Sequence, residues 1–413
     1  MPQKLIDQTT IQPDGRPGDD AFTAFATCNE NFQDTEQRLT ALGARIDQEA
    51  ADRGQYVEAE STIRAAADSA LSQSIAAVSA RIPDDNYLIN GQMDVWQLGD
   101  TFTWAESRRY TADQWIAWAG GGKQLFVERR NMFNIGLPAA VESVRPKNAM
   151  YIEVSVGGTG NDAFALIQQL VEGVHKLSDS SITTSMVVWA DKATKIGVGH
   201  WQNYDDDAHV TVVPPTLIQL QPGWQYVQVT KQMPAVSKTY THGPNSHISL
   251  NIWLASGSEA GAPGAGVEAF AMWLTNVKME SGTAATVYRP QRESDVLVQC
   301  QRYFEKSYNL GTAPGTATRV GGHAAGLQTG YLLSAPVVRF SQRKRTSPAI
   351  IVYNTQDGAA GQISENDVSG QHRINHPALL DAIGAMSFEA YVANGTGTPN
   401  NVARFQWTAD ARL

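Results

Sequence analysis

The chain has 413 residues, enough for two or three domains that each bury a core of their own. Only 18% of residues are charged, while 35 are glycine and 10 tryptophan, a balance that suits turn-rich β-sandwiches better than helical enzymes. The formal net charge of −9 argues against wrapping nucleic acid, which needs clustered Lys and Arg.

Cys28 and Cys300 lie far apart and form no spacing pattern, so neither a disulfide framework nor a zinc site is signalled, and the usage fits a reducing cytoplasm. The opening MPQKLIDQTTIQPDG has no apolar h-region, and no run of about 18 apolar residues occurs. Neither export by a standard signal nor a bilayer anchor is expected.

Residues 1 to about 30 are polar, with turn signals at Pro13-Asp14-Gly15 and Pro17-Gly18-Asp19-Asp20. Such a segment buries too little apolar surface to fold alone, and reads as disordered or as an extended arm ordered by a partner. Phe22, Phe25 and Phe32 are the exception and read as anchors into that partner.

From Asn31 to about Ile82 there is no proline, and Ala, Glu, Gln and Arg dominate, which predicts a helix. Leu39, Leu42, Ile46, Ile63, Leu71, Ile75, Val78 and Ile82 mark a narrow apolar seam, continued weakly by Ala50, Arg53, Val57, Glu60 and Ala67. One helix of that length would span roughly 75 Å, with a seam too narrow for a globular core. It is expected to pair with copies of itself as a parallel coiled-coil stalk of two to four strands, the alternative being a hairpin broken near Gly43 or Gly54.

After Pro83-Asp84-Asp85 the chain changes character. Alternating runs at 185–190, 224–230, 246–255 and 268–280, separated by Gly, Pro, Asn and Asp clusters, predict strands at sandwich spacing. A third unit opens with a short helix that Ser294 is expected to cap, with Leu297, Cys300 and Phe304 on one face. Strands are predicted at 330–340, 349–354, 387–394 and 402–407, completing a second sandwich-like domain.

Asp205-Asp206-Asp207, flanked by His200, Tyr204 and His209, is the sharpest carboxylate cluster, but three consecutive residues of a strand cannot share one site, and an acidic hairpin tip is expected. His372 and His376 stand four apart without the Glu of a zincin and before a proline, so no metal is expected there. GGGK at 120–123 and GTGTP at 395–399 read as turns rather than phosphate cradles. Arg343-Lys344-Arg345 reads as a basic hairpin tip, with contact to an anionic surface polysaccharide as the sharper use. Trp189, Trp253 and Trp273 are expected to point into the sandwich core, whereas Trp201, beside Asn203 and Tyr204, is the better platform on which a pyranose could stack.

DNYLINGQMDVWQLGDTF (85–102) followed by YTADQWIAW (110–118) resembles the opening of a jelly-roll domain of tailed-bacteriophage tail fibre and receptor-binding proteins, a domain similar to carbohydrate-binding modules. The resemblance continues through ALIQQLVEG (165–173), SITTSMVVWADK (181–192), GWQYVQVT (223–230) and WLTNVKMESGTAATVYRPQ (273–291), then a Cys-Gln-Arg-Tyr-Phe element. Residues 4–39 look like the virion-docking N-terminus of such fibres.

The fold expected is therefore mainly β: an N-terminal extended arm (1–30), a long α-helical, trimeric coiled-coil stalk (31–82), a jelly-roll β-sandwich (83–290) and a C-terminal β-sandwich-like domain (291–413). The trimer is what the resemblance implies. CQRYFEKSY (300–308) reads as a joint between the two β domains, with Tyr303, Phe304 and Tyr308 packed there. The expected function is that of a homotrimeric tail fibre or receptor-binding protein. Its partners would be phage tail or baseplate proteins, through Phe22, Phe25 and Phe32, and bacterial surface polysaccharide or lipopolysaccharide, through Trp201, Tyr204, Asp206, Arg343, Lys344 and Arg345. The loops of 311–330 and 355–376 are the expected receptor face. No enzymatic activity, cofactor, metal, nucleic acid or membrane insertion is expected, and the place expected is the virion tail after synthesis in the host cytoplasm. A structural adaptor or collar fibre and a glycan-degrading tailspike are the alternatives.

Overall fold

The computed structural model describes residues 4–11, 13–79, 86–137, 145–205, 209–327, 337–393 and 396–413, with backbone alone over 75–79. It divides into two compact units, 1–83 and 84–413.

In the first unit one helix, α1 (Ala21–Ser79), begins ten residues before the sequence suggests. Asp20 starts it, its Oδ1 accepting the Thr23 amide at 2.7 Å in the manner of an N-cap. The preceding residues are not an extended arm. Asp7 accepts the amides of Thr9 and Thr10, its own amide donates to Asp19 at 2.8 Å, and Ile11 bridges Pro17, closing a small loop. Lys4 reaches back to Glu30 and Asn31 on the helix. Phe22, Phe25 and Phe32 all stand exposed on α1, Phe22 at 88%.

The coiled-coil stalk is not supported. Among the described residues α1 is one of two α-helices in a chain that is otherwise mainly β-sandwich. Leu39, Leu42, Ile46, Ile63 and Leu71 are more than half exposed, and Ile82 lies outside the described residues, while Ile75 and Val78 fall in the last turns of α1. The physical reason is visible midway along the stripe, where Arg53 and Glu60 occupy seam positions. Both are instead engaged in solvent-facing i,i+4 ion pairs, Arg53 with Glu49 and Glu60 with Arg64.

In the second unit, β1 (Thr101–Ala105), β2 (Arg108–Tyr110), β3 (Trp115–Gly120), β4 (Gln124–Asn131), β5 (Asn148–Val154) and β6 (Phe164–Glu172) come first. Then follow β7 (Ser181–Ala190), β8 (Thr194–Asn203), β9 (Val210–Leu220), β10 (Gly223–Gln232), β11 (His247–Ser256) and β12 (Phe270–Ser281). They form two antiparallel six-stranded sheets, ordered β1-β4-β5-β12-β7-β10 and β2-β3-β6-β11-β8-β9, the alternation of a jelly-roll sandwich. Leu125, Ile152, Ile167, Val188, Ile252 and Leu274 lie in the core between them.

Period-2 geometry corrects the tryptophans. Val188 and Ala190 on β7, and Met272 and Leu274 on β12, face the core, so Trp189 and Trp273 point out of the sandwich. There they pack edge-to-face with each other, and Trp273 packs likewise on Trp224 and Tyr151. Trp253 also points outward, on the second sheet, but the main chain of the 257–265 loop covers it: a Cβ at Gly261 would fall 2.2 Å from Trp253 Cζ2.

Helix α2 (Glu293–Gln301) leads out of the jelly roll. Arg292, not Ser294, occupies its N-cap, and Ser294 Oγ turns to Asp295. Val296 and Cys300 pack on Val95, and Phe304 has left the helix to begin the next strand. Beyond it come β13 (Phe304–Lys306), β14 (His323–Gly326), β15 (Val338–Arg339), β16 (Ala349–Asn354), β17 (Gln362–Asn366), β18 (His372–Pro377), β19 (Leu379–Asp381), β20 (Ser387–Tyr391) and β21 (Val402–Asp410). β21 is the spine, paired with β13, β14, β16 and β17, while β15-β20-β19 makes a second, smaller sheet. Val352, Ile363, Phe388, Phe405 and Trp407 fill the core. Of the strand expected at 330–340, 330–336 lies outside the described residues, and the 355–376 stretch read as loop carries β17 and the start of β18.

Tyr303, Phe304 and Tyr308 are buried where the two sandwiches meet. Polar bonds lock the same joint. Gln97 donates to Asp113 and to the Phe304 carbonyl, Lys306 Nζ donates to the carbonyls of Gln97, Leu310 and Thr312, and Arg302 pairs with Glu172 at 3.0 Å.

Candidate functional site

The outer face of the second jelly-roll sheet carries side chains at every other position of β3, β6, β11 and β8. In register, Trp118 stands opposite Leu166 and Leu166 opposite Trp253, while Gln168 stands opposite Asn251. On β8 the residues sharing this face are Gly197, Gly199, Trp201 and Asn203, with Trp201 opposite Ser249. The rings form a continuous edge-to-face series, Trp118 to Phe164 (5.3 Å), Phe164 to Trp253 (6.1 Å) and Trp253 to Trp201 (6.0 Å). Its middle is covered and its ends are open: Trp118 and Trp201 are half-buried and line a cleft of about 430 Å³, within the ~300–1,000 Å³ usual for ligand pockets.

The cleft floor is polar. Gln168 Nε2 donates to Asn251 Oδ1 at 2.7 Å, and Asn251 donates to Ser249 Oγ at 3.0 Å, which fixes both amides, and Gln168 lines the cleft. Asn203 Nδ2 is buried with no hydrogen-bond partner among the described residues. Neither indole N–H of Trp118 or Trp201 has a partner among the described residues, so the wall offers donors as well as ring faces.

The far wall comes from the C-terminal sandwich, through Arg345, Arg412 and Leu413, with Arg108 of β2 beside them. Tyr110 donates its hydroxyl to the Leu413 oxygen at 2.8 Å, and Arg412 lies 3.9 Å over the Tyr110 ring. His247 Nδ1 contacts the Asn245 carbonyl oxygen at 2.8 Å, and burial, reinforced by the charges of Arg108 and Arg345, holds its pKa below the usual range. At the other end Tyr204 and His209 both pack on Tyr240.

The residues singled out from sequence go to different places. Trp201 is in the cleft. Tyr204 lines it as a buried wall, its hydroxyl accepting the Ser237 amide at 3.0 Å, and is not an exposed platform. Asp206 lies outside the described residues, while Asp205 lines the cleft. His200 faces the other way, between the sheets, bonded to Thr184 Oγ1 at 3.1 Å, and burial pulls its pKa down to about 3. The basic run splits three ways. Arg343 is exposed away from the cleft, Arg345 forms part of the cleft wall, and Lys344 is fully buried on Glu305 and the Gln301 carbonyl, so it cannot touch a polysaccharide.

His372 and His376 sit on strand β18 and bond Asn375 and Glu365, and no metal-holding cluster of His, Cys, Asp or Glu occurs among the described residues. Sequence reading missed Trp118, Gln168, Arg108, His247 and Arg412. For Gln168 a signal existed in ALIQQLVEG, a polar pair inside an apolar strand. For Arg412 none did.

No family model matches the sequence, and no curated protein matches it. Among solved structures, the chain is similar to the family 11 carbohydrate-binding module of the cellulosomal cellulase Lic26A-Cel5E of Clostridium thermocellum, at 10% identity over 42% of this chain and 90% of that one, with a TM-score of 0.28. The N-terminal cellulose-binding domain of Cellulomonas fimi β-1,4-glucanase C matches at 15% identity over 34% of this chain and 83% of that one, TM-score 0.25. The enzymatically active domain of bacteriophage CBA120 tailspike protein 4 matches at 11% identity over 48% of this chain but only 22% of that one, TM-score 0.28. The structural neighbours are thus carbohydrate-binding modules and a phage tailspike domain. At these scores the likeness carries no argument about function, which rests on the cleft.

Proposed function

We propose that the chain binds a bacterial surface glycan in this cleft and serves as a bacteriophage tail fibre or receptor-binding protein. The observation that carries the glycan reading is the pairing of Trp118 and Trp201, two indoles with open ring area and unpartnered N–H groups, across a floor of fixed amides. Ring faces suit the apolar C–H face of a pyranose, and amides and guanidinium groups suit its hydroxyls. The tail-fibre reading is supported by the resemblance of the segments between 85 and 291 and of residues 4–39 to such proteins.

On this reading the chain binds without cleaving, its N-terminus docks on tail or baseplate proteins, and it acts in the virion as a homotrimer after synthesis in the host cytoplasm. Three copies per fibre convert weak glycan contacts into avidity, a gain of about 10²–10⁴ where geometry permits.

The test is the full-length chain, fluorescently labelled, on an array of bacterial lipopolysaccharides and capsular polysaccharides, beside Trp118→Ala and Trp201→Ala. Binding that falls about 10–30-fold in both variants, with melting temperature held, is expected for anchor residues of this kind. Absence of binding to every polysaccharide, or binding indifferent to both substitutions, would overturn the glycan reading and leave the adaptor role in its place.

A further inference from the structure

We infer that the glycan recognised in this cleft is acidic, its anionic group held by Arg108 and Arg345 at the wall where the C-terminal sandwich meets the jelly roll; this rests on the glycan reading above. The chain as a whole is acidic, at −9, yet the charged side chains lining the cleft among the described residues are three arginines and one aspartate.

The three arginines are not equivalent. Arg412 is matched by Asp410, its Nε 2.9 Å from Oδ1, and is sandwiched on Tyr110 and on Phe304 at 4.6 Å, so its charge is spent inside the protein. Arg345 is held only by neutral oxygens: Nε donates to the Ala411 carbonyl at 2.9 Å, Nη1 to the Pro244 carbonyl at 2.9 Å and to Asn245 Oδ1 at 3.1 Å, and Nη2 to the Arg412 carbonyl at 3.4 Å. Its guanidinium is thereby oriented with no carboxylate paired to it among the described residues. The Arg108 side chain is exposed and has no hydrogen bond or ion pair among the described residues.

Two like charges gathered beside one ligand space repel each other until an anion arrives, and a guanidinium fork matches a carboxylate or phosphate in two parallel hydrogen bonds. Asn203 lines the same cleft, but its Nδ2 is sealed from solvent, so the donors presented there are the guanidinium groups and the indole N–H groups. Asp205, the one carboxylate side chain in the lining among the described residues, stands against Gly243. A uronic or ulosonic carboxylate and a sugar phosphate share the chemistry that Arg108 and Arg345 select, and the experiment separates them.

The test uses the full-length chain and matched polysaccharides: acidic capsular or lipopolysaccharide samples, the same samples after carboxyl reduction, and the same samples after removal of phosphate esters. Arg108→Gln is the variant of choice, because an exposed side chain without partners can be changed without loosening the joint. The expected result is binding that drops about tenfold or more on one of the two treatments, the treatment naming the group, with Arg108→Gln losing a similar factor on untreated samples and nothing on treated ones. Equal binding before and after both treatments, with Arg108→Gln unaffected, would overturn the acidic assignment and leave the glycan reading standing. No binding to any sample would overturn both.

Discussion

Lys344 offers a sharp test of how a charge is to be read. In sequence it is the middle of a basic run; in the structure its ammonium is fully buried on Glu305, itself almost fully buried, whose other oxygen accepts the Ser341 amide at 2.9 Å. Removing one partner of a buried pair strands the other, and Lys344→Ala is expected to cost about 3–5 kcal/mol. At a few degrees per kcal/mol, that lowers the melting temperature of the β unit by roughly 5–15 °C. Replacing both, as Lys344→Met with Glu305→Leu, restores much of the loss. What remains is about 1–3 kcal/mol, because the Ser341 amide and Gln301 carbonyl lose their partners. Calorimetry or urea titration of the two single variants and the double one closes the cycle. The reasoning is refuted if Lys344→Ala leaves stability within about 1 kcal/mol and weakens polysaccharide binding instead, the behaviour of a surface charge.

Other expectations follow from the same geometry. His200 stays neutral in the fold down to about pH 3 but protonates near its ordinary value of 6.5 when unfolded. Stability therefore falls as pH drops between these values, by up to about 5 kcal/mol in the limit, and His200→Leu should flatten that limb of a melting-temperature profile. Asp113 shows the opposite sign: burial raises its pKa from 3.8 to about 6, so its contribution declines as pH rises through that window, and an NMR titration of its carboxyl should find a midpoint near 6. Lys123, whose ammonium sits on the carbonyls of Ser155 and Val267, should cost about 1–3 kcal/mol on change to Met, read as a lower urea midpoint without loss of sheet signal in circular dichroism.

The parts of the fold legible in sequence are those governed by local periodicity. β16 coincides with the alternating run at 349–354, β7 and β10 extend predicted runs by a few residues, and β11 is displaced by one residue from its own, because β-branched and aromatic alternation encodes both a strand and its buried face. The helix was legible from the absence of proline. Its pairing was not, because a stripe interrupted by Arg53 and Glu60 satisfies a spacing rule without offering a continuous apolar seam. The facing of Trp189 and Trp273 was misread for a related reason: where both faces of a strand carry large apolar residues, alternation says that neighbours diverge but not which one goes in.

The cleft was partly legible because Trp201, beside Asn203 and Tyr204, stands at the end of a strand where a polar loop begins. The rest assembles from residues 300 positions apart, and no local rule joins Arg108 to Arg412 or to Arg345. More telling is the fate of Arg343, Lys344 and Arg345. They leave β15 in a turn without ladder bonds to fix alternation, and each takes the direction its own acceptors dictate: solvent for Arg343, Glu305 for Lys344, and the neutral oxygens of Pro244, Asn245, Ala411 and Arg412 for Arg345. A run of like charges is thus not one feature. A carboxylate neighbour turns a cation into structure, whereas carbonyl neighbours hold it in place with its charge intact, and that difference in acceptors is what leaves Arg345 able to meet a ligand and Lys344 unable to.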